Sequence, residues 1–292
     1  MIIISVIVAL VALVIGSITD FKKREVHDYV SYGLTFIAVA ISIIYTIIIW
    51  DYTPLVQTIM GLLIGLGIAY AMFYLGQWGG GDSKLIIGLG AVLGFNVFPV
   101  FGDSNFLFPL LIINIILAGA IYGLIFSVYL AIKHRHEFIK NLRKWLDKKQ
   151  IMNARRILLG FVIISVILIM FFIPQEFKLL LLSIAALLFL VFYVWIFVKI
   201  IEESCMIKLV DIEKLTEGDW IFKDVFVSGK YITGPKDLGI SKHQINVLKK
   251  FRSQGKIKKI MIKEGIPFIP AFFIAFILTI MMYYMKIPSL LF

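Results

Sequence analysis

Cysteine occurs once in this 292-residue chain, at Cys205. That single thiol excludes an intramolecular disulfide and every cysteine-cluster zinc site. Histidine is nearly as scarce, with four residues. His134 and His136 lie two positions apart, on different faces of any helix, so they do not form a metal pair. His27 reads as an interfacial residue. Charge is thin, at 16% of residues, while 61% are hydrophobic and the mean hydropathy is +0.97. So little charge excludes an ordinary soluble domain and indicates a polytopic membrane protein. No basic residue precedes the first apolar run and no small-residue cleavage pattern follows it, so that run is expected to be a retained span. There is no long repeat and no low-complexity tract.

What the chain does have is apolar segments long enough to cross a bilayer core of about 30 Å. They fall at roughly 2–19, 29–50, 54–76, 85–101, 106–132, 157–173, 177–198 and 268–286. The spacing predicts an α-helical membrane protein of about eight transmembrane helices, with a small α+β domain inserted before the last. The expected division is a five-helix bundle over 1–132, a basic loop over 133–156, a helix pair over 157–200, the α+β domain over 201–266 and a final helix over 267–292. The segment 85–101 contains Gly88, Gly90, Gly94, Asn96 and Pro99, which suits a short or bent helix among neighbours. Asn114 is expected to hydrogen-bond between helices.

Basic residues orient these spans. With the N-terminus outside, every Lys and Arg except Lys178 and Lys286 falls on the inner side, as cytoplasmic loops require. The net charge of +11 therefore reads as topology plus attraction to anionic membrane lipid, and nucleic acid is not an expected partner. The loop 133–156 reads as an amphipathic surface helix held on lipid by Trp145, Leu142 and Ile139, with substrate recognition the lesser reading.

In the inserted domain, Ser228-Gly229 separates two β-branched runs and marks a hairpin. A helix follows, begun by a capping box of Ser241 and Gln244, stapled by Ile240 and Ile245, and stopped at Gly255. A final strand then leads to the last span, with Pro267 and Pro270 at its first turn.

Two acids stand at expected membrane boundaries on the cytoplasmic side. Asp20 ends the first span in SITDFKKREV, and Asp82 follows three glycines in GGGDSKL. Singly, each has an ordinary explanation. Asp20 can be an interfacial acid balanced by Lys22, Lys23 and Arg24, and Asp82 a helix N-cap. Together they allow something else, because two carboxylates held close can share a proton, one acting as base on water while the other donates to a peptide carbonyl. Glycines beside an acid also clear the way for another chain. Hydropathy alone does not bring spans one and four together. A transporter coupling cations or protons through the acids, or a structural scaffold, remains open at this point.

Gly79-Gly80-Gly81-Asp82 resembles the GxGD motif of membrane aspartyl proteases, and GGGDSKLIIGLGAVLG is similar to the corresponding string of type IV prepilin peptidases. Asp20 followed by FKKREV resembles the other half of that family's site. EGIPFIPAF, near the C-terminus, is similar to a segment of the archaeal preflagellin (prearchaellin) and prepilin peptidases. The resemblance implies Asp20 and Asp82 as the catalytic pair, Gly79, Gly80 and Gly81 as a flexible approach, and Lys84 as a flanking residue. It implies removal of short basic leaders from pilin-like precursors, prepilins or prearchaellins, with no cofactor and no metal.

Departures from the family pattern matter too. Bacterial members carry a cysteine-rich cytoplasmic segment and methylate the new N-terminus. This chain lacks that cluster and any recognisable methyl-donor site, so methylation is not expected. Val26-His27-Asp28 stands where the family often has Ile-Pro-Asn, predicting a less rigid entry to the second span. The motifs of the presenilin-like branch, which cuts within transmembrane helices and is the alternative protease reading, do not surround these acids.

Overall fold

The computed structural model describes residues 2–96 and 105–285. Pro99, expected to bend the fourth span, and Lys286 lie outside the described residues. The chain forms two compact units interleaved along the sequence. One comprises Met1–Ile125, Ile212–Lys258 and Gly265–Phe292; the other comprises Phe126–Asp211 and Lys259–Glu264.

The helices come in order as α1 (Ile2–Lys23), α2 (Asp28–Ile49), α3 (Thr53–Tyr74), α4 (Gly80–Leu93), α5 (Leu107–Lys133), α6 (Arg135–Leu146), α7 (Lys149–Phe172) and α8 (Gln175–Ile201). After them come β1 (Ile207–Asp211), β2 (Trp220–Ile221), β3 (Val225–Val227), β4 (Lys230–Thr233), α9 (Lys242–Ser253), β5 (Lys259–Lys263) and α10 (Ile269–Tyr284). Among the described residues six helices, α1, α2, α3, α5, α7 and α8, are long and apolar enough to cross a membrane. They make this a multi-pass membrane protein. The other two expected spans are the shorter helices α4, of 14 residues, and α10, of 16. Large apolar side chains such as Phe36, Phe171 and Leu179 face outward, as they do where lipid is the solvent.

In the first unit α4 is the inner helix. It packs against α1, α2 and α3, and Leu85, Ile86 and Leu89 are fully buried. Glycine makes the contact with α3 possible. A Cβ on Gly61 would lie 2.1 Å from the carbonyl oxygen of Gly90, and one on Gly90 would lie 2.4 Å from that of Gly61. The two backbones touch, a close approach that small residues permit and larger ones forbid. Helix α10 packs along α1, and the buried Asn114 of α5 donates from Nδ2 to Thr279 Oγ1 of α10 at 2.9 Å. That is the interhelical role expected of it.

The first unit also holds the hairpin of β3 and β4, turned by Ser228 at φ 53° and Gly229 at φ 78°. Ser241 caps α9, with its Oγ accepting from the Gln244 N–H at 3.3 Å while Gln244 Oε1 accepts from the Ser241 N–H at 2.8 Å. Ile240 and Ile245 are both buried, and Gly255 follows the helix at φ 74°.

In the second unit β1 and β5 pair antiparallel, with Ile207 opposite Lys263 and Asp211 opposite Lys259. The amphipathic helix expected in the basic loop is present as α6, but most of its apolar face is already occupied. Phe138, Leu142 and Trp145 pack with Ile151, Ile196 and Ile200. Trp145 Nε1 donates to Glu203 Oε2 at 2.6 Å, and the Lys148 ammonium sits 3.7 Å from the Trp145 ring centroid. Of the three residues expected to hold lipid, only Ile139 is exposed. Composition could not show this, because α8 supplies the same apolar surface that lipid would.

Candidate functional site

Asp20 lies on the last turn of α1, and its side chain is only 7% exposed. A carboxylate so far from water needs donors. It finds them at the start of α10. The Ile269 N–H donates to Asp20 Oδ2 at 3.0 Å, and the Phe268 amide also serves the same carboxylate. The local sequence makes these donors available. The first amides of a helix have no partner within it, and Pro270 carries no N–H to compete. Four residues before Asp20, and so on the same face of α1, Gly16 receives the Ile269 side chain. A Cβ there would lie 3.3 Å from Ile269 Cγ2.

Asp82 lies on the first turn of α4 and is half-buried. It is the third helical residue rather than the N-cap. Gly79 occupies the cap position, and its N–H donates back to Asp82 Oδ2 at 3.1 Å, leaving Oδ1 outside that bond. Gly80 and Gly81 are the first two residues of α4, and none of the three glycines has positive φ. The steric need is concentrated at Gly81, where a Cβ would lie 3.0 Å from Val26 Cβ. The corresponding distances are 3.5 Å at Gly79, to Asp82 Oδ2, and 4.0 Å at Gly80, to Phe73. One tight contact with the segment joining α1 to α2 thus explains a glycine that the sequence assigned to chain access.

The two acids fall within one electrostatic neighbourhood. Helices α1 and α4 pack together, and Asp82 lies within the field of the Asp20 carboxylate. Val26 is a shared neighbour, 3.0 Å from a Cβ on Gly81 and 3.9 Å from one on Gly16. Tyr122 of α5 is also within range of the Asp20 charge. Lys84 turns away from the acids and pairs with Asp28 at 2.6 Å, its ammonium 5.4 Å from the Tyr32 ring centroid. It ties α4 to the start of α2. Both partners are substantially exposed, so the pair contributes ~0–1 kcal/mol.

Trp78 and the α10 segment carry no acid, and sequence reasoning gave neither a role at the site. Trp78, four residues before Asp82, is buried with its ring 5.3 Å from that of Phe272. Behind it, Gly76 turns at φ 65°, and a Cβ there would lie 3.2 Å from the Trp220 ring of β2. The string EGIPFIPAF was the available signal, but nothing in its composition names Asp20 as its partner. Among the described residues no three of His, Cys, Asp and Glu gather as a metal ligand set. Chemically, the arrangement offers two carboxylates on packed helices, each with one oxygen held by a backbone amide.

Residues 7–127 match the family model of the type IV leader peptidase family. The chain is similar to the preflagellin peptidase of Methanococcus voltae, 30% identical over 161 residues, which cover 52% of this chain and 64% of that one. It is similar to the preflagellin peptidase of Methanococcus maripaludis at 33% identity over 132 residues, 42% of this chain and 54% of the relative. A third, from Methanocaldococcus jannaschii, is 38% identical over 90 residues, 31% and 38% of the two chains. The chain thus spans less than two thirds of the length of each of these relatives. The matched model is that of the type IV leader peptidases, and these relatives are archaeal preflagellin peptidases.

Proposed function

We propose that this chain is a membrane aspartyl endopeptidase that removes the short basic leader from type IV pilin-like precursors, prepilins or prearchaellins, at the cytoplasmic face of the membrane. The observation that carries the reading is the pair itself. Asp20 lies on the last turn of α1 and Asp82 on the first turn of α4, two helices that pack together, and the Asp20 charge bears on Asp82, inside the segment that matches the leader peptidase family. The N-terminus is outside, and the basic loops and the α+β elements face the cytosol. The precursor's apolar helix lies in lipid against the bundle, and its leader junction enters in extended form.

The two acids share one proton at the start of the reaction. The ionised carboxylate takes a proton from water as the water oxygen bonds to the junction carbonyl carbon. The protonated partner gives its proton to the carbonyl oxygen. The tetrahedral adduct then collapses. Its C–N bond breaks, the amine nitrogen leaves with a proton returned by the first acid, and an adduct hydroxyl gives its proton to the second acid as the new carboxyl forms on the leader, which restores the starting pair. No electron transfer is involved and no cofactor enters. Methyl transfer to the new N-terminus forms no part of this activity.

Purified protein incubated with a panel of candidate precursors is expected to release leader fragments whose masses place the cut at the leader junction. Cleavage is expected to survive chelator and to fall on either side of the pH window in which the pair holds one proton. A cut deep in an apolar helix would instead assign the chain to enzymes that cleave within membrane spans. Complete loss with chelator would overturn the two-acid mechanism.

A further inference from the structure

The first turn of α10 touches both halves of the site without contributing a reacting group. Ile269 and Phe272, three residues apart and on one face of the helix, are both fully buried. Ile269 donates its N–H to Asp20. Phe272 stacks its ring edge against Trp78, on the loop that leads into the first turn of α4 and Asp82. Phe268, just ahead, packs against Phe272 at 5.5 Å between centroids. On its other side Phe268 meets α5 at Gly119, where a Cβ would lie 2.6 Å from Phe268 Cζ and 3.0 Å from Cε2. The Asn114–Thr279 bond is a second tie between the same pair of helices.

We propose that the turn Phe268–Phe272 is the positioning element of the site, that Gly119 is the socket that sets its place, and that together they hold Asp20 and the Asp82 loop at their working separation. The proposal rests on the reading of Asp20 and Asp82 as the reacting pair. Its physical basis is that one rigid helical turn meets three other elements at once. Any shift of Phe268 moves the Ile269 amide against Asp20 and the Phe272 ring against Trp78 together. Reacting groups tolerate little of this, since misplacement by about 1 Å can cost on the order of 10²-fold in rate. Phe268, Ile269, Phe272 and Gly119 are positioning residues. None of them reaches the scissile bond in this scheme.

The test is a suppressor pair read by kinetics. Gly119→Ala places a methyl group against the Phe268 ring, and kcat is expected to fall on the order of 10²-fold while KM changes by less than about threefold. Phe268→Leu shortens the offending side chain. The double variant Gly119→Ala/Phe268→Leu is expected to recover kcat to within about fivefold of the parent, on the same geometric ground. Gly123→Ala is the control, because it lies one turn along α5 with nothing within 4 Å of the added atom. It should cleave like the parent.

Wild-type kcat in Gly119→Ala, or a loss that Phe268→Leu does not relieve, overturns the proposal. If Gly119→Ala does not accumulate in the membrane, Phe268→Ala decides. It removes the wedge without adding bulk, so a fallen kcat at unchanged KM supports positioning and a normal kcat overturns it. Asp20→Asn assayed alongside separates the two levels. Cleavage by that variant refutes the reacting pair itself, whereas an inert Asp20→Asn beside a fully active Gly119→Ala refutes only the role of α10.

Discussion

Asp20→Asn and Asp82→Asn each lower cleavage by at least about 10³-fold, while membrane level and thermal midpoint stay near those of the parent. This is the expected result of separating the chemistry of each carboxyl group from its structural bonds. Asparagine keeps the shape and one acceptor oxygen, so it can still receive the Ile269 N–H at position 20 and the Gly79 N–H at position 82. What it loses is the ability to take and return a proton, and acid-base catalysis of that kind contributes roughly 10²–10⁴-fold for each group. On the proposed mechanism the two groups act as one unit, so the double variant should be scarcely worse than either single one. Turnover assays with a purified precursor, beside melting curves in detergent, check all three variants. Substantial cleavage by either single variant would refute the pairing.

The second large effect is expected at the crossing of α3 and α4. Gly61→Ala and Gly90→Ala each insert a carbon within 2.1–2.4 Å of a backbone oxygen. Backbone has no rotamer to escape into, so the helices must part. Overpacking of this kind costs about 1–3 kcal/mol where side chains can adjust, and a contact with rigid backbone falls at or above the upper end. The damage should also reach the chemistry, since α4 carries Asp82 on its first turn. Specific activity is therefore expected to fall further than the folded fraction does. Gly67→Ala, on α3 but with nothing within 4 Å, should be neutral or stabilise slightly through helix propensity. Equal melting temperatures for Gly61→Ala and Gly67→Ala would show that the tight crossing does not hold this bundle together.

Local features of this fold were legible in the chain because each depends on residues close in sequence. The Ser228-Gly229 turn, the Ser241/Gln244 capping box and the strand before α10 needed only nearby side chains to be read. The two acids also stood out, since charge at the edge of an apolar run demands an account. Contacts between distant residues did not announce themselves. Glycine at positions 61 and 90 signals permission for close approach but names no partner. The hydrogen bond from Ile269 to Asp20 crosses 249 positions, and nothing in either segment specifies the other. One local reading also gave way to tertiary packing. Most of the apolar face of α6, expected on lipid, is covered by α8 and its neighbours.

The bond between Asp20 and Ile269 carries a consequence for biosynthesis. The ribosome makes the acid 249 residues before the amide that holds it. Until α10 has emerged and inserted, Asp20 lacks that donor, and on the proposed mechanism the unfinished chain does not cleave precursors. A chain stopped after Glu264 should insert yet leave precursors uncut, and supplying residues 265–292 as a separate polypeptide should restore processing.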